Sequence, residues 1–163
     1  MNVLDEIPIV STIRRNHGLE HATIHVLSAY YPRLSMVGHA TVDGFNLYGE
    51  VETAQVEKAA NEALERVRAG ESRLVIHPNC GTNFATAGLV AGLAAWVASM
   101  GRGTVNKLPR MMLASTIGLL FAMPLGLSVQ EHITTSPIVG NAAIRGVTRG
   151  KRGNLTMHSV KIG

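Results

Sequence analysis

The chain has 163 residues and a mass of 17.4 kDa, room for one ordinary domain with an appendage and too few for a multidomain enzyme. Hydrophobic residues make up 46% of it and charged residues only 16%, against about a quarter charged in soluble domains. That composition excludes a disordered chain and points to a membrane-embedded part. The single cysteine, Cys80, excludes an internal disulfide and leaves a thiol suited to a reducing compartment or a metal.

Charge divides along the chain. Residues 1–82 hold seven Lys/Arg against ten Asp/Glu, and residues 83–163 hold eight against one. The basic half is also the apolar half, so the high isoelectric point speaks for membrane contact and not for nucleic acid.

Residues Met1 to Val10 carry Asp5 and Glu6 and lack the basic and apolar regions of a secretory leader, so the N-terminal part is expected in the cytosol. Apolar residues Ile9, Ile13, Leu19, Ile24 and Leu27 predict a helix from about Ile7 to Tyr30, ending before Pro32, with Ser11 or Thr12 as its cap. Leu34 to Tyr48 changes period around Asp43-Gly44, a favoured two-residue turn, and predicts a two-stranded ribbon. Val51 to Ala69 reads as an amphipathic helix closed by Gly70. Arg73 to His77, with Leu74-Val75-Ile76 stopped by Pro78, reads as a short strand.

Two long uncharged stretches follow, 17 residues from Phe84 to Met100 and 20 from Met111 to Gln130, each near the ~17–25 residues of a transmembrane helix. In the first, Gly88 and Gly92 form a GxxxG pair among alanines, a face that suits a neighbouring helix, a second protomer or a membrane-complex partner. Arg102, Lys107 and Arg110 lie between the spans, and Arg145, Arg149, Lys151, Arg152 and Lys161 beyond them. Both flanks are basic, and the excess on the tail favours cytosolic termini in the inner (plasma) membrane. The expected architecture is α+β: a soluble α-β-β-α-β domain over residues 1–82, a transmembrane helical hairpin over 83–131 and a basic C-terminal tail over 132–163.

His17, His21 and His25 are spaced i, i+4, i+8 on the first helix, each step advancing about 40° around the axis and about 6 Å along it. His17-Gly18-Leu19-Glu20-His21 is an H-x-x-E-H pattern, the inverzincin order, in which two histidines hold zinc and the glutamate acts as general base. The spacing suits that chemistry because two imidazoles reach one ion from a single helical face while the carboxylate stands close enough to take a proton. A second cluster, His77-Pro78-Asn79-Cys80-Gly81-Thr82, sets an imidazole and a thiol three residues apart on a stiff turn. The candidate site is therefore His17, His21, His77 and Cys80 as ligands of zinc or another divalent transition metal, with Glu20 catalytic. Three ligands would leave a position open for water and four would close the site. His25 and His132 are secondary candidates, and His39 and His158 read as a strand-face and a tail histidine without a metal role.

The blocks H-G-L-E-H at 17–21, H-P-N-C-G-T-N-F at 77–84, and Gln130 followed by Thr134-Thr135-Ser136-Pro137 resemble those of the YqhQ-like bacterial membrane proteins. The three blocks recur in order and span about two-thirds of the chain. Ala22 stands where that family often has a basic residue, Ser136 where an acidic one often precedes the proline, and family members are longer. The resemblance implies a membrane protein with a metal site and carries no established reaction. The residues thus suggest a small integral-membrane metalloprotein acting as a zinc-dependent hydrolase or peptidase at the membrane surface. The alternative is a non-catalytic membrane subunit or assembly factor with a structural metal.

Overall fold

A computed structural model describes residues 3–100 and 106–163; Arg102, one of the basic residues expected between the spans, lies outside them. The chain divides into two units, residues 1–77 with 131–163, and residues 78–130.

In the first unit a short 3-10 turn, Val3–Glu6, precedes helix α1, Pro8–Tyr30. Pro8 sits at the first helical position, where its missing N–H costs nothing and its fixed φ suits the helix. Ile7 is the N-cap and makes no side-chain cap bond, so neither Ser11 nor Thr12 caps; Ser11 Oγ instead donates to Pro8 O at 3.1 Å. Strands β1, Val37–Thr41, and β2, Gly44–Tyr48, form the expected ribbon. Its two-residue turn is Val42-Asp43, one position earlier than Asp43-Gly44, because Gly44 already pairs with Thr41. Helix α2, Thr53–Arg68, buries one stripe of Val56, Ala59, Ala60, Ala63, Leu64 and Val67. Gly70, just past its end, takes φ +103°, which only glycine adopts without strain.

Two sequence expectations need correction. Ser72–Val75 is a 3-10 turn and not a strand; it lies along α1, where the carbonyls of Val75 and Ile76 meet the imidazoles of His21 and His25 instead of a neighbouring strand. The segment expected as a basic tail forms strands β3, Ile144–Arg152, and β4, Leu155–Ile162. β4 pairs with β2 and β3 with β4, giving an antiparallel sheet in the order β1-β2-β4-β3. The fold class is α+β, as expected, but half of the sheet comes from the C-terminal end of the chain.

Helices α1 and α2 cover one face of this sheet. Their core joins Leu19, Ala22, Ile24, Val26 and Leu27 of α1 to the α2 stripe and to Phe45, Leu47 and Val160 on the covered face. Burial of these side chains, at about 25 cal/mol per Å² of apolar surface, holds the layers together. β4 shows the alternation of a half-covered sheet, with Thr156, His158 and Val160 buried and Met157 and Ser159 less so.

The second unit is a pair of antiparallel helices, α3, Gly81–Ser99, and α4, Lys107–Val129, the latter continuing into a π-helical turn at Gln130–Thr134. At 1.5 Å per residue, α3 is about 28 Å and α4 about 34 Å long, matching a hydrocarbon core of about 30 Å. Both helices are long and apolar enough to cross a membrane, and only 6% and 17% of their most apolar windows are buried. A core helix of a soluble protein would be mostly buried, whereas here Leu89, Trp96, Leu120 and Phe121 are exposed. The seam runs along Gly118, Ala122 and Gly126 of α4, where a Cβ on Gly118 would stand 3.2 Å from Ala94 Cβ and one on Gly126 2.6 Å from Asn83 Oδ1. Gly88 and Gly92 are not in it, since among the described residues nothing lies within 4 Å of where their Cβ atoms would be. At one end Gln130 Nε2 donates to Asn83 Oδ1 at 2.7 Å and Asn83 Nδ2 to Pro78 O at 2.6 Å, pairing buried polar groups that hydrocarbon would not solvate.

Candidate metal centre

α1 is buried almost continuously from Gly18 to Ile24, so its polar residues there need internal partners. Gly18 makes the approach of two other segments feasible. A Cβ at that position would stand 2.8 Å from Ser136 O and 3.0 Å from Val75 Cβ. The glycine inside H-G-L-E-H thus admits the 3-10 turn on one side and the 134–136 segment on the other.

Those two segments orient the histidines. His17 Nδ1 lies 2.9 Å from Thr134 O, His21 Nδ1 2.8 Å from Val75 O, and His25 Nε2 2.9 Å from Ile76 O. A carbonyl oxygen only accepts, so each of these nitrogens carries the proton and donates it. Nε2 of His17 and His21 and Nδ1 of His25 are then the unprotonated nitrogens. Ring orientation and tautomer fixed by a backbone carbonyl is the arrangement that metal-ligating histidines have.

The rings cluster. His17 and His21 have centroids 4.4 Å apart, His21 and His77 5.7 Å, and His25 and His77 4.8 Å. The ligand atoms of His17 and His21 lie within 4.8 Å of one another, in the range of the roughly 3.3 Å that a tetrahedral ion bound at about 2.0–2.1 Å needs. Burial, and then the neighbouring His25, hold the His77 imidazole below its ordinary pKa, which favours the neutral form that ligates metal. Of the residues expected from sequence, His17, His21 and His77 come together, and His25 joins them.

The other expected residues are placed as follows. Glu20 is buried on the side of α1 that meets β1, its carboxylate against Gly38. Cys80 opens the second unit as the buried N-cap of α3, its sulfur accepting the Thr82 N–H at 3.4 Å. His132 is exposed and its carbonyl accepts from Arg14. His39 is exposed on the sheet. His158, expected in a tail, is fully buried in β4, with Nδ1 3.4 Å from Thr53 Oγ1. Burial lowers its pKa most, with Arg149 adding to that, while a hydrogen bond to Gly49 and the Glu50 and Glu52 carboxylates oppose it.

Two residues with no sequence signal of their own hold the site's frame. Asn16 is fully buried and its Nδ2 donates to Thr41 O and Val42 O at 2.8 and 3.0 Å, tying α1 to the β1–β2 turn. Arg14 is buried and ion-paired with Asp5. Only their spacing ahead of the H-G-L-E-H block, on the side of α1 facing other segments, could have suggested either.

The sequence matches the domain of unknown function DUF6391 over residues 12–147, a stretch holding every candidate ligand, Glu20 and both apolar helices. It is also similar to an uncharacterized protein of Picosynechococcus sp. (strain ATCC 27264 / PCC 7002 / PR-6), 37% identical over 76% of this chain, which spans 66% of that relative's length. No solved structure matches. These matches agree with the expectation of a family without an assigned reaction; the likeness to the YqhQ-like proteins rests on the motif blocks alone.

Proposed function

The chain belongs to the DUF6391 family, and since that family carries no reaction we propose a function from the site: an integral-membrane metalloprotein with a zinc centre at the membrane surface. The observation that carries this reading is the carbonyl-fixed presentation of Nε2 by both His17 and His21. In this reading His77 supplies the third nitrogen, and three ligands leave a position open for water. The α3–α4 hairpin crosses the plasma membrane, and its ends emerge on one side, which we place in the cytosol on the strength of Arg145, Arg149, Lys151 and Arg152.

We further propose hydrolysis of peptide or amide bonds. Zinc with an open position acts as a Lewis acid. Glu20, next in sequence to His21, would take the proton from water and return it to the leaving amine once its carboxylate turns from Gly38 toward the imidazoles. Elemental analysis of the detergent-purified protein beside a His17→Ala/His21→Ala variant tests the centre. Stoichiometric zinc lost in the variant supports it, and no metal in either protein overturns it. Glu20→Gln should then keep the metal and abolish peptide hydrolysis; loss of metal with activity would assign Glu20 a ligand or structural role.

One observation favours a second reading, a non-catalytic membrane subunit with a closed structural centre. Gly88 and Gly92 lie exposed on α3, away from its seam with α4, a surface on which another helix could pack closely. If Gly88→Leu and Gly92→Leu leave migration in mild detergent unchanged, this reading fails.

A further inference from the structure

The buried guanidinium of Arg14 has no place in the ligand set, yet its bonds converge on the segment that orients His17. Its Nη2 donates to His132 O at 3.1 Å and to Thr135 O at 2.9 Å, and its Nη1 is paired with Asp5. Its own backbone carbonyl accepts the Ser136 N–H at 3.1 Å. Residues 132–136 are thereby strapped to α1 at three points, and Thr134 O, which accepts from His17 Nδ1 at 2.9 Å, lies between them. We infer that Arg14 is the positioning residue of the metal centre, acting through the strap to hold Thr134 O where it fixes the ring and tautomer of His17.

Two further observations support this role. Arg14 Nε is buried and has no hydrogen-bond partner among the described residues, so the cation is incompletely compensated. Replacing a whole buried ion pair by well-packed apolar side chains is often neutral or better for stability, which argues that the Arg14–Asp5 pair serves geometry. Arginine also suits the task better than lysine, since its planar fork reaches two carbonyls and a carboxylate at once, whereas an ammonium concentrates its donors at one point. The strap coincides with the Thr134-Thr135-Ser136-Pro137 block, a run without metal-binding side chains that the ligand set leaves unexplained.

The inference rests on the metal reading for its consequence but not for its geometry, and the experiment separates the two. Arg14→Met and Arg14→Lys are compared with the full-length wild type in detergent by zinc titration, apo-protein melting temperature and the ¹⁵N signature of the His17 ring. Loss of the contacts that orient a ligating histidine weakens metal binding by about 10- to 100-fold. That loss is expected in both variants, with His17 shifting from the Nδ1–H form to a mixture; Arg14→Met also melts lower because Asp5 and two carbonyls lose their partner, whereas Arg14→Lys keeps the charge. Wild-type zinc affinity together with an unshifted His17 signature in a folded variant would overturn the proposal. If wild type itself takes up no zinc, the metal reading fails and the His17 signature alone decides on Arg14. Should Arg14→Met not fold, Arg14→Lys carries the comparison.

Discussion

Gly38 of β1 has no side chain where the carboxylate of Glu20 lies: a Cβ on Gly38 would stand 2.1 Å from Glu20 Oε1 and 2.3 Å from its Cδ. The pair sets how closely α1 approaches the sheet. Glu20 is 4% exposed, so Gly38→Ala is predicted to destabilise the first unit by about 1–3 kcal/mol through overpacking. Gly81→Ala, whose Cβ would meet no described residue within 4 Å, is the control and should be near neutral. Melting temperatures of the two purified variants check this; equal shifts would show that the Glu20 contact is not the cause.

Metal removal should be visible in stability as well as in chemistry. A ligand that binds only the folded state at 100 times its Kd adds about 2.7 kcal/mol. Chelator treatment is therefore predicted to lower the melting temperature of wild type and to leave the His17→Ala/His21→Ala variant unmoved. An equal fall in both proteins would count against a centre at these residues.

Acid sensitivity should arise partly at His158. Its folded pKa is depressed, so the unfolded chain takes up the proton first as pH falls, and stability rises with pH wherever the unfolded state binds more protons. The contribution of His158 is thus fully present above its unfolded pKa of about 6.5 and is lost as pH falls through the lower folded value. His158→Leu is predicted to flatten the melting temperature between roughly pH 8 and 5. A variant as acid-sensitive as wild type would show that this imidazole is not the responsible group.

The hairpin seam predicts a contrast between glycine pairs. Gly118→Leu and Gly126→Leu should open it, because Ala94 and Asn83 occupy the space, whereas Gly88→Leu and Gly92→Leu should leave it closed. Gln130→Ala, which removes the bond to Asn83, is predicted to cost about 0.6 kcal/mol, the average for such interhelical bonds in membranes. Proteolytic resistance of the hairpin in detergent distinguishes these cases, and sensitivity in the Gly88 and Gly92 variants alone would reverse the assignment.

Several elements were legible because their signals are local. α1, the ribbon, α2 and both apolar helices follow from spacing of apolar residues, turn residues and length. The C-terminal strands were hidden behind their charge, since Arg145, Arg149, Lys151 and Arg152 read as a solvated tail. The inward residues Val147, Thr156 and Val160 that mark them as strands acquire meaning only opposite β2 and the helices. The seam of the hairpin was not legible for a similar reason: GxxxG is visible in α3, but α4 supplies Gly118, Ala122 and Gly126 at the contact.

The sequence by itself determined that the chain carries two apolar helices, a mixed α and β part, and imidazoles at one-turn intervals on α1, because these depend on residue type and helical period. Only the tertiary structure decided that His77 stands beside His21 and His25. It also decided that Val75, Ile76 and Thr134 choose the tautomers and that a buried Arg14 holds the strap. The physical reason is that a backbone carbonyl carries no residue identity: every position has one, and which of them meets an imidazole is set by the packing of segments more than fifty residues apart.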